Sequence, residues 1–224
     1  MTAKELSAIG KNVSCLVPDY IVKGALLFRT TPDDILLGLN FYGSSRDGRV
    51  FRVHAFFLPL FVPTEMIHFN YGKRLGSGGG KWNADEPNLI DALTTSIRNE
   101  AIPFFNAVST LQGVVEFIRP MVVPGVGGYI NPHCQEALAY TLVKLNDVSG
   151  ALAMLEQIQK TLSKSTIPWE LAMKARAQLI EEKLLPKPEV ALAQLEAWKD
   201  ETISKLGLEK YCARSIAPLP SAAS

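Results

Sequence analysis

The chain has 224 residues, 47% of them hydrophobic, and 23 basic against 22 acidic side chains give a formal net charge of +1. This length allows one large or two small domains with a real core, and the charge balance supplies neither the footprint of a nucleic-acid binder nor a basic block for an anionic membrane. The N-terminal MTAKELSAIG lacks an apolar core of signal-peptide length, the longest apolar run, Ala55 to Pro63, is far short of the ~20 residues of a membrane helix, and the odd, scattered set Cys15, Cys134 and Cys212 reads as reduced thiols in a cytoplasmic protein.

Thr2-Ala3-Lys4-Glu5 has the spacing of a capping box, and Leu6, Ile9, Val13 and Leu16 follow at helical intervals, so a first helix is predicted over about 3–16, stopped by Pro18. The period then changes to two. Ile35, Leu37, Leu39 and Phe41 alternate with Leu36, Gly38, Asn40 and Tyr42, and Phe51, Val53, Ala55 and Phe57 alternate with Arg52 and His54. A three-residue loop, Arg46-Asp47-Gly48, sets Leu39 opposite Ala55 and Phe41 opposite Val53, which keeps one face apolar. The same register sets Asn40 opposite His54 and Tyr42 opposite Arg52. Flanking strands are expected at Gly24–Thr30 and Thr64–Tyr71. Phe56 to Val62 is apolar at alternate and intervening positions alike, which predicts a strand buried on both faces, under the first helix on one side and the helical region 132–208 on the other; Pro59 within the run leaves an exposed patch that docks a partner as the alternative.

The stretch GSGGGKW, Gly76 to Trp82, fails as a phosphate loop. The first glycine of a P-loop would fall on Leu75 and its hydroxyl on Trp82. A mobile connector without cofactor is the expectation. Residues 85–119 return to helical spacing with Leu89, Ile90, Leu93 and Ile97. Pro103 breaks or kinks the pattern, and a second capping box at Ser109 to Gln112 precedes Leu111, Val114, Val115 and Ile118.

The Pro/Gly-rich stretch 120–131 marks a boundary between a domain at 1–119 and a helical region at 132–208. Asn131 caps and Pro132 starts that region, which should hold helices near 132–145, 148–163, 168–184 and 188–206, ended by Gly207. Ala151 to Glu156 and Ala191 to Glu196 repeat Ala-Leu-Ala-x-Leu-Glu, the mark of two helical hairpins. Two hairpins are too few for a free-standing solenoid, so they should pack on the first domain. Residues 209–224 are expected to form a disordered tail. The fold class is therefore α+β: an antiparallel meander with flanking helices, followed by two helical hairpins.

Ala25-Leu26-Leu27-Phe28-Arg29, Trp82 and Ala101-Ile102-Pro103-Phe104-Phe105 resemble, over residues 1–119, a bacterial family known as a domain of unknown function. Some relatives of that general kind are immunity proteins beside toxins. The resemblance implies no catalytic residues.

The polar sheet face offers the candidate site. Asn40, Tyr42, Arg52 and His54 share it, and a turn near Phe61 would add His68 opposite His54, with Asn70 close by; the side taken by Arg29 is open. Two histidines and an arginine suit an anion or acid–base work, whereas a metal would want a third ligand that this face lacks. His133 and Cys134 point about 100° apart on a helix and do not make a catalytic pair. Trp82, Trp169 and Trp198 are expected as packing anchors, the last two meeting across a hairpin. No strong enzyme signature is present, so the expected function is non-catalytic protein binding, immunity- or adaptor-like. The alternative is a small-molecule or anion binder, or a minor enzyme, on the Arg52/His54/His68 face.

Overall fold

The computed structural model describes residues 1–44, 48–123 and 130–212. Helix α1 (Ala3–Val13) carries the expected capping box at Thr2 and Glu5 and runs into a 3-10 turn at Ser14–Leu16. Strands β1 (Ile21–Lys23), β2 (Leu26–Thr30), β3 (Ile35–Gly43), β4 (Val50–Pro59) and β5 (Gly72–Arg74) form an antiparallel meander in sequence order. A short β6 (Trp82–Asn83) also pairs with β4. The strand expected at 24–30 is present as β2, two residues shorter at its start, and it forms a hairpin with β1, which was not expected. Lys23 pairs with Leu26 across Gly24-Ala25, and Gly24 takes a φ of 63° that favours glycine.

The central register is as the alternation predicts: Leu39 faces Ala55, Phe41 faces Val53, Asn40 faces His54 and Tyr42 faces Arg52. Most of the connecting loop, 45–47, lies outside the described residues. One face of the sheet carries Leu27, Leu37, Leu39, Phe41, Val53 and Phe57, all essentially without solvent exposure. Gly10 lets α1 approach it; a Cβ there would stand 3.0 Å from Leu27 Cδ1. At the far end of this face Phe57 meets Phe104 and Phe117, on helices α4 (Ile102–Ala107) and α5 (Leu111–Ile118). Phe56 to Val62 is buried as expected, but α4 and α5 cover Phe57, and Phe69 covers Phe56.

Two further expectations need correction, the strand at 64–71 and the cap at Ser109, whereas the helical pattern is interrupted next to Pro103 as expected. Residues 64–71 form no strand; the Thr64 hydroxyl donates to Met66 O at 2.8 Å and accepts from Met66 N at 3.3 Å, a local turn that competes with a sheet ladder. Helix α3 (Leu89–Ser96) passes through a π-helical turn, Ile97–Ala101, which takes up the N–H missing at Pro103 before α4 begins. The cap of α5 is Thr110, which accepts from Gly113 N at 3.1 Å, while Asp33 of the β2–β3 loop accepts from Leu111 N at 3.0 Å.

The glycine stretch is not a free connector either. Ser77–Gly80 make one helical turn, α2, and Gly76, Gly79 and Gly80 have φ of 97°, 78° and 68°. A Cβ on Gly76 would lie 2.5 Å from the ring of Trp82, whose indole donates to Leu75 O at 3.0 Å. The glycines serve a tight reversal that returns the chain to β4, with Trp82 as the anchor.

In the boundary stretch, Arg119–Val122 form a 3-10 turn, and 124–129 lie outside the described residues. Beyond it come α6 (Pro132–Lys144), α7 (Val148–Thr161), α8 (Pro168–Leu184) and α9 (Pro188–Leu206), the two expected hairpins. Asn131 and Asp147 cap α6 and α7, and Gly207, at φ 63°, ends α9. The repeat positions Ala151, Leu155, Ala191 and Leu195 are all fully buried. Helix α6 is buried almost all round, including Glu136, which Arg176 of α8 clasps at 2.8 and 3.1 Å while the Tyr140 hydroxyl donates to it at 3.2 Å. The helices meet the sheet through Lys144, which pairs with Asp34 at 2.7 Å and Glu196 at 2.9 Å, and through Lys199, 3.4 Å from Asp34. A last turn, α10 (Glu209–Cys212), replaces the start of the expected tail and sets Tyr211 edge-on to Phe28; residues 213–224 lie outside the described residues.

Among the described residues no single helix is long and apolar enough to cross a membrane. The bent pair Leu89–Ala107 and Leu111–Val122, which has the composition for it, turns through 107° and places Leu93, Ile97, Ala101, Val114 and Ile118 in the core.

Candidate functional site

Period-two alternation along β3 and β4 places Asn40, Tyr42, Arg52 and His54 together on the sheet face away from α1. All four are half-buried. The cover comes from Phe69, in the chain that returns from the end of β4. Its ring stacks on His54 at 4.8 Å and on Tyr42 at 6.1 Å, and meets Phe56 edge-on at 5.3 Å. Sequence alternation did not point to Phe69, because the segment that holds it has no strand period.

His54 lies against a glycine for a steric reason. A Cβ on Gly72 would be 2.4 Å from Ala55 O and 3.0 Å from the His54 ring. Burial, and secondarily the charge of Arg74, push the His54 imidazole down to about 4. It is therefore neutral at neutral pH and a weak base, poorly matched to proton transfer near pH ~7. Among the described residues its Nε2 and the Nε of Arg52 are buried without a hydrogen-bond partner. The face thus presents donor or acceptor capacity that the described residues do not satisfy.

His68 and Asn70 take other positions than expected. Arg74, not His68, stands opposite His54. Asn70 is half-buried just before Tyr71, whose carbonyl accepts from Phe57 N at 3.0 Å along the edge of β4. His68 turns to the seam between the sheet and the helices. There it meets Tyr71 at 5.1 Å and His133 at 5.8 Å, and the Tyr71 hydroxyl donates to His133 O at 2.7 Å. Burial, then His133, pushes His68 down to about 4, and burial, then Arg176, lowers His133.

His133 in turn stacks face to face on Trp169, 5.0 Å away with 10° between the rings. Trp169 is 45% exposed, and its neighbours Ile167 and Leu171 are 45% and 46% exposed. The tryptophans do not meet as expected: Trp198 is buried against Tyr140 at 5.5 Å, while Trp169 is a surface ring held from behind by a histidine. The adjacent Cys134 thiol is buried and pushed up to about 11, which leaves it protonated and unreactive near neutral pH. Among the described residues no group of three or more His, Cys, Asp or Glu side chains is placed to hold a metal ion.

Family models, curated proteins and solved structures give no match to this chain.

Proposed function

We propose that the protein is a non-catalytic, adaptor-like binding protein that docks an apolar or aromatic segment of another protein at the seam between its sheet and its helices. The observation that carries this reading is the exposed trio Ile167, Trp169 and Leu171 at the start of α8. Tryptophan is enriched at binding hot spots because it offers a large contact area with a polar handle. Stacking on His133 fixes the Trp169 ring in advance, which lowers the ordering cost of a contact. The proposed setting is cytoplasmic, in keeping with three free cysteines.

The test compares wild type with Trp169→Ser as immobilised bait, after circular dichroism has shown equal helicity. A partner retained in stoichiometric amount by wild type, and bound at least about tenfold more weakly by the variant in a purified assay, supports the reading. Equal binding by both baits overturns it.

A second reading, a small anion on the sheet face, is favoured by the nitrogens of Arg52 and His54 that have no partner among the described residues. Its test is a thermal shift with phosphate, sulfate and carboxylates. Stabilisation of wild type that is lost in His54→Ala supports it.

A further inference from the structure

Arg29 lies on the opposite sheet face from His54. Its partner across the β2–β3 ladder is Leu37, and its strand neighbour on that face is Leu27, both fully buried. A guanidinium among such residues normally has a carboxylate, since an unpaired buried charge is costly. Among the described residues no carboxylate forms an ion pair with Arg29, and its Nε is buried without a hydrogen bond. The guanidinium instead sits over the Tyr20 ring, 5.6 Å from its centroid.

Beside this pair is a cavity of about 130 Å³, with Val17, Ile102 and Phe105 among its apolar walls. Phe105 and Tyr20 meet at 5.6 Å with their rings tilted by 41°, so two aromatic surfaces frame the space. Asp19 and Asn106, both exposed, stand at its rim and leave it open to solvent. Burial pushes the Tyr20 phenol well above its ordinary range, with Arg29 opposing, so the hydroxyl stays protonated and able to donate.

We infer that this cavity is a binding site for a small monocarboxylate bearing an aromatic or compact apolar group, with Arg29 and Tyr20 taking the carboxylate and Val17, Ile102 and Phe105 the apolar part. The size fits, because a cavity of about 150 Å³ lined by apolar side chains holds benzene. The charge fits as well. One guanidinium matches one carboxylate in fork geometry, whereas a phosphate dianion would face apolar walls with a single cation and the Asp19 carboxylate nearby. This inference does not rest on either reading of the protein's function given above.

Titration of the full chain with benzoate, benzamide and inorganic phosphate tests it, by calorimetry and by amide chemical shifts. Benzoate should bind at least about tenfold more tightly than benzamide, in line with the strength of charge-assisted hydrogen bonds. It should shift the amides of Tyr20, Arg29 and Asn106, and Arg29→Met should weaken it by a similar factor while Lys164→Met, at an exposed position between α7 and α8, leaves it unchanged. If Arg29→Met does not fold, the wild-type shift map and the benzoate-to-benzamide ratio decide alone. Absence of benzoate binding, equal binding of benzamide, displacement of benzoate by phosphate, or shifts centred on His54 would each overturn the inference.

Discussion

The helical layer and the sheet treat buried polar groups in opposite ways. In the helices Glu136 is 1% exposed, yet Arg176 holds both of its oxygens and Tyr140 donates a third bond. Lys144 and Lys199 likewise share Asp34 and Glu196. The buried polar atoms left over on α6 and α9, Gln135 Oε1 and Thr202 Oγ1, are neutral. Among the described residues, the sheet and the chain that follows it leave Arg29 Nε, Arg52 Nε, His54 Nε2 and His68 Nδ1 unpartnered. A satisfied buried charge explains itself as architecture; an unsatisfied polar atom, on an arginine or on a neutral histidine, asks for a ligand, a partner or another reason to persist.

The comparison breaks most readily at Arg176. Burial raises the Glu136 carboxyl and Arg176 opposes that shift, so the carboxylate depends on its partner. Removing one member of such a pair strands a buried charge. Arg176→Ala should therefore lower the free energy of unfolding by about 3–5 kcal/mol. Replacing both members with apolar residues of similar size, Glu136→Met with Arg176→Leu, should recover most of the loss. Urea melts of both variants measure it. A single variant within about 1 kcal/mol of wild type would show the pair to be dispensable.

Acid sharpens the comparison next. His54 and His68 have folded values of about 4 against an ordinary 6.5. Between these values the unfolded chain binds protons that the folded chain does not. The stabilisation is thus complete above about pH 6.5, falls as the pH drops through that window, and is gone below about pH 4. Both rings are half-buried, so after allowance for solvent the loss from about pH 7 to about pH 5 should be about 1 kcal/mol for each histidine. Glu136, raised by burial, works in the other direction and offsets part of it. Melts at the two pH values, repeated with His54→Gln, should show a shallower dependence in the variant. An unchanged slope would mean that His54 titrates normally in the folded protein.

The alternation along β3 and β4 was legible because a slip of one residue would turn Leu39 and Phe41 outward and Asn40 and Tyr42 inward. That alone set four of the six candidate residues on one face. His68 was misplaced because Thr64 and Met66 form a local turn, which no periodicity reports. Phe69 was invisible for the same reason, though it covers the face. The side taken by Arg29 was undetermined because the chain between β2 and β3 passes Asp34 at a φ of 60°, and its length in loop residues cannot be read from spacing. The glycine run looked loose by composition, whereas its φ values and the Trp82 ring demand glycine. Glu136 and Arg176 are set together by the packing of α8 on α6, forty positions apart, and neither helix advertises the pair.

The smallest effect is expected where the contrast with Arg176 is most direct. Arg52 is half-buried on β4 opposite Tyr42, with no carboxylate paired to it among the described residues. Its Nε has no hydrogen-bond partner among the described residues, so little polar interaction is lost with it. What Arg52 does supply is the packing of its methylene stem beside Tyr42. Methionine keeps that stem and removes both the charge and the unsatisfied donor. Arg52→Met should therefore change stability by less than about 1 kcal/mol, in either direction. The same melts that show the large loss in Arg176→Ala provide the reference. A loss of several kcal/mol in Arg52→Met would mean that its guanidinium is held by strong contacts after all, and the unpaired sheet face would cease to be a candidate for a ligand.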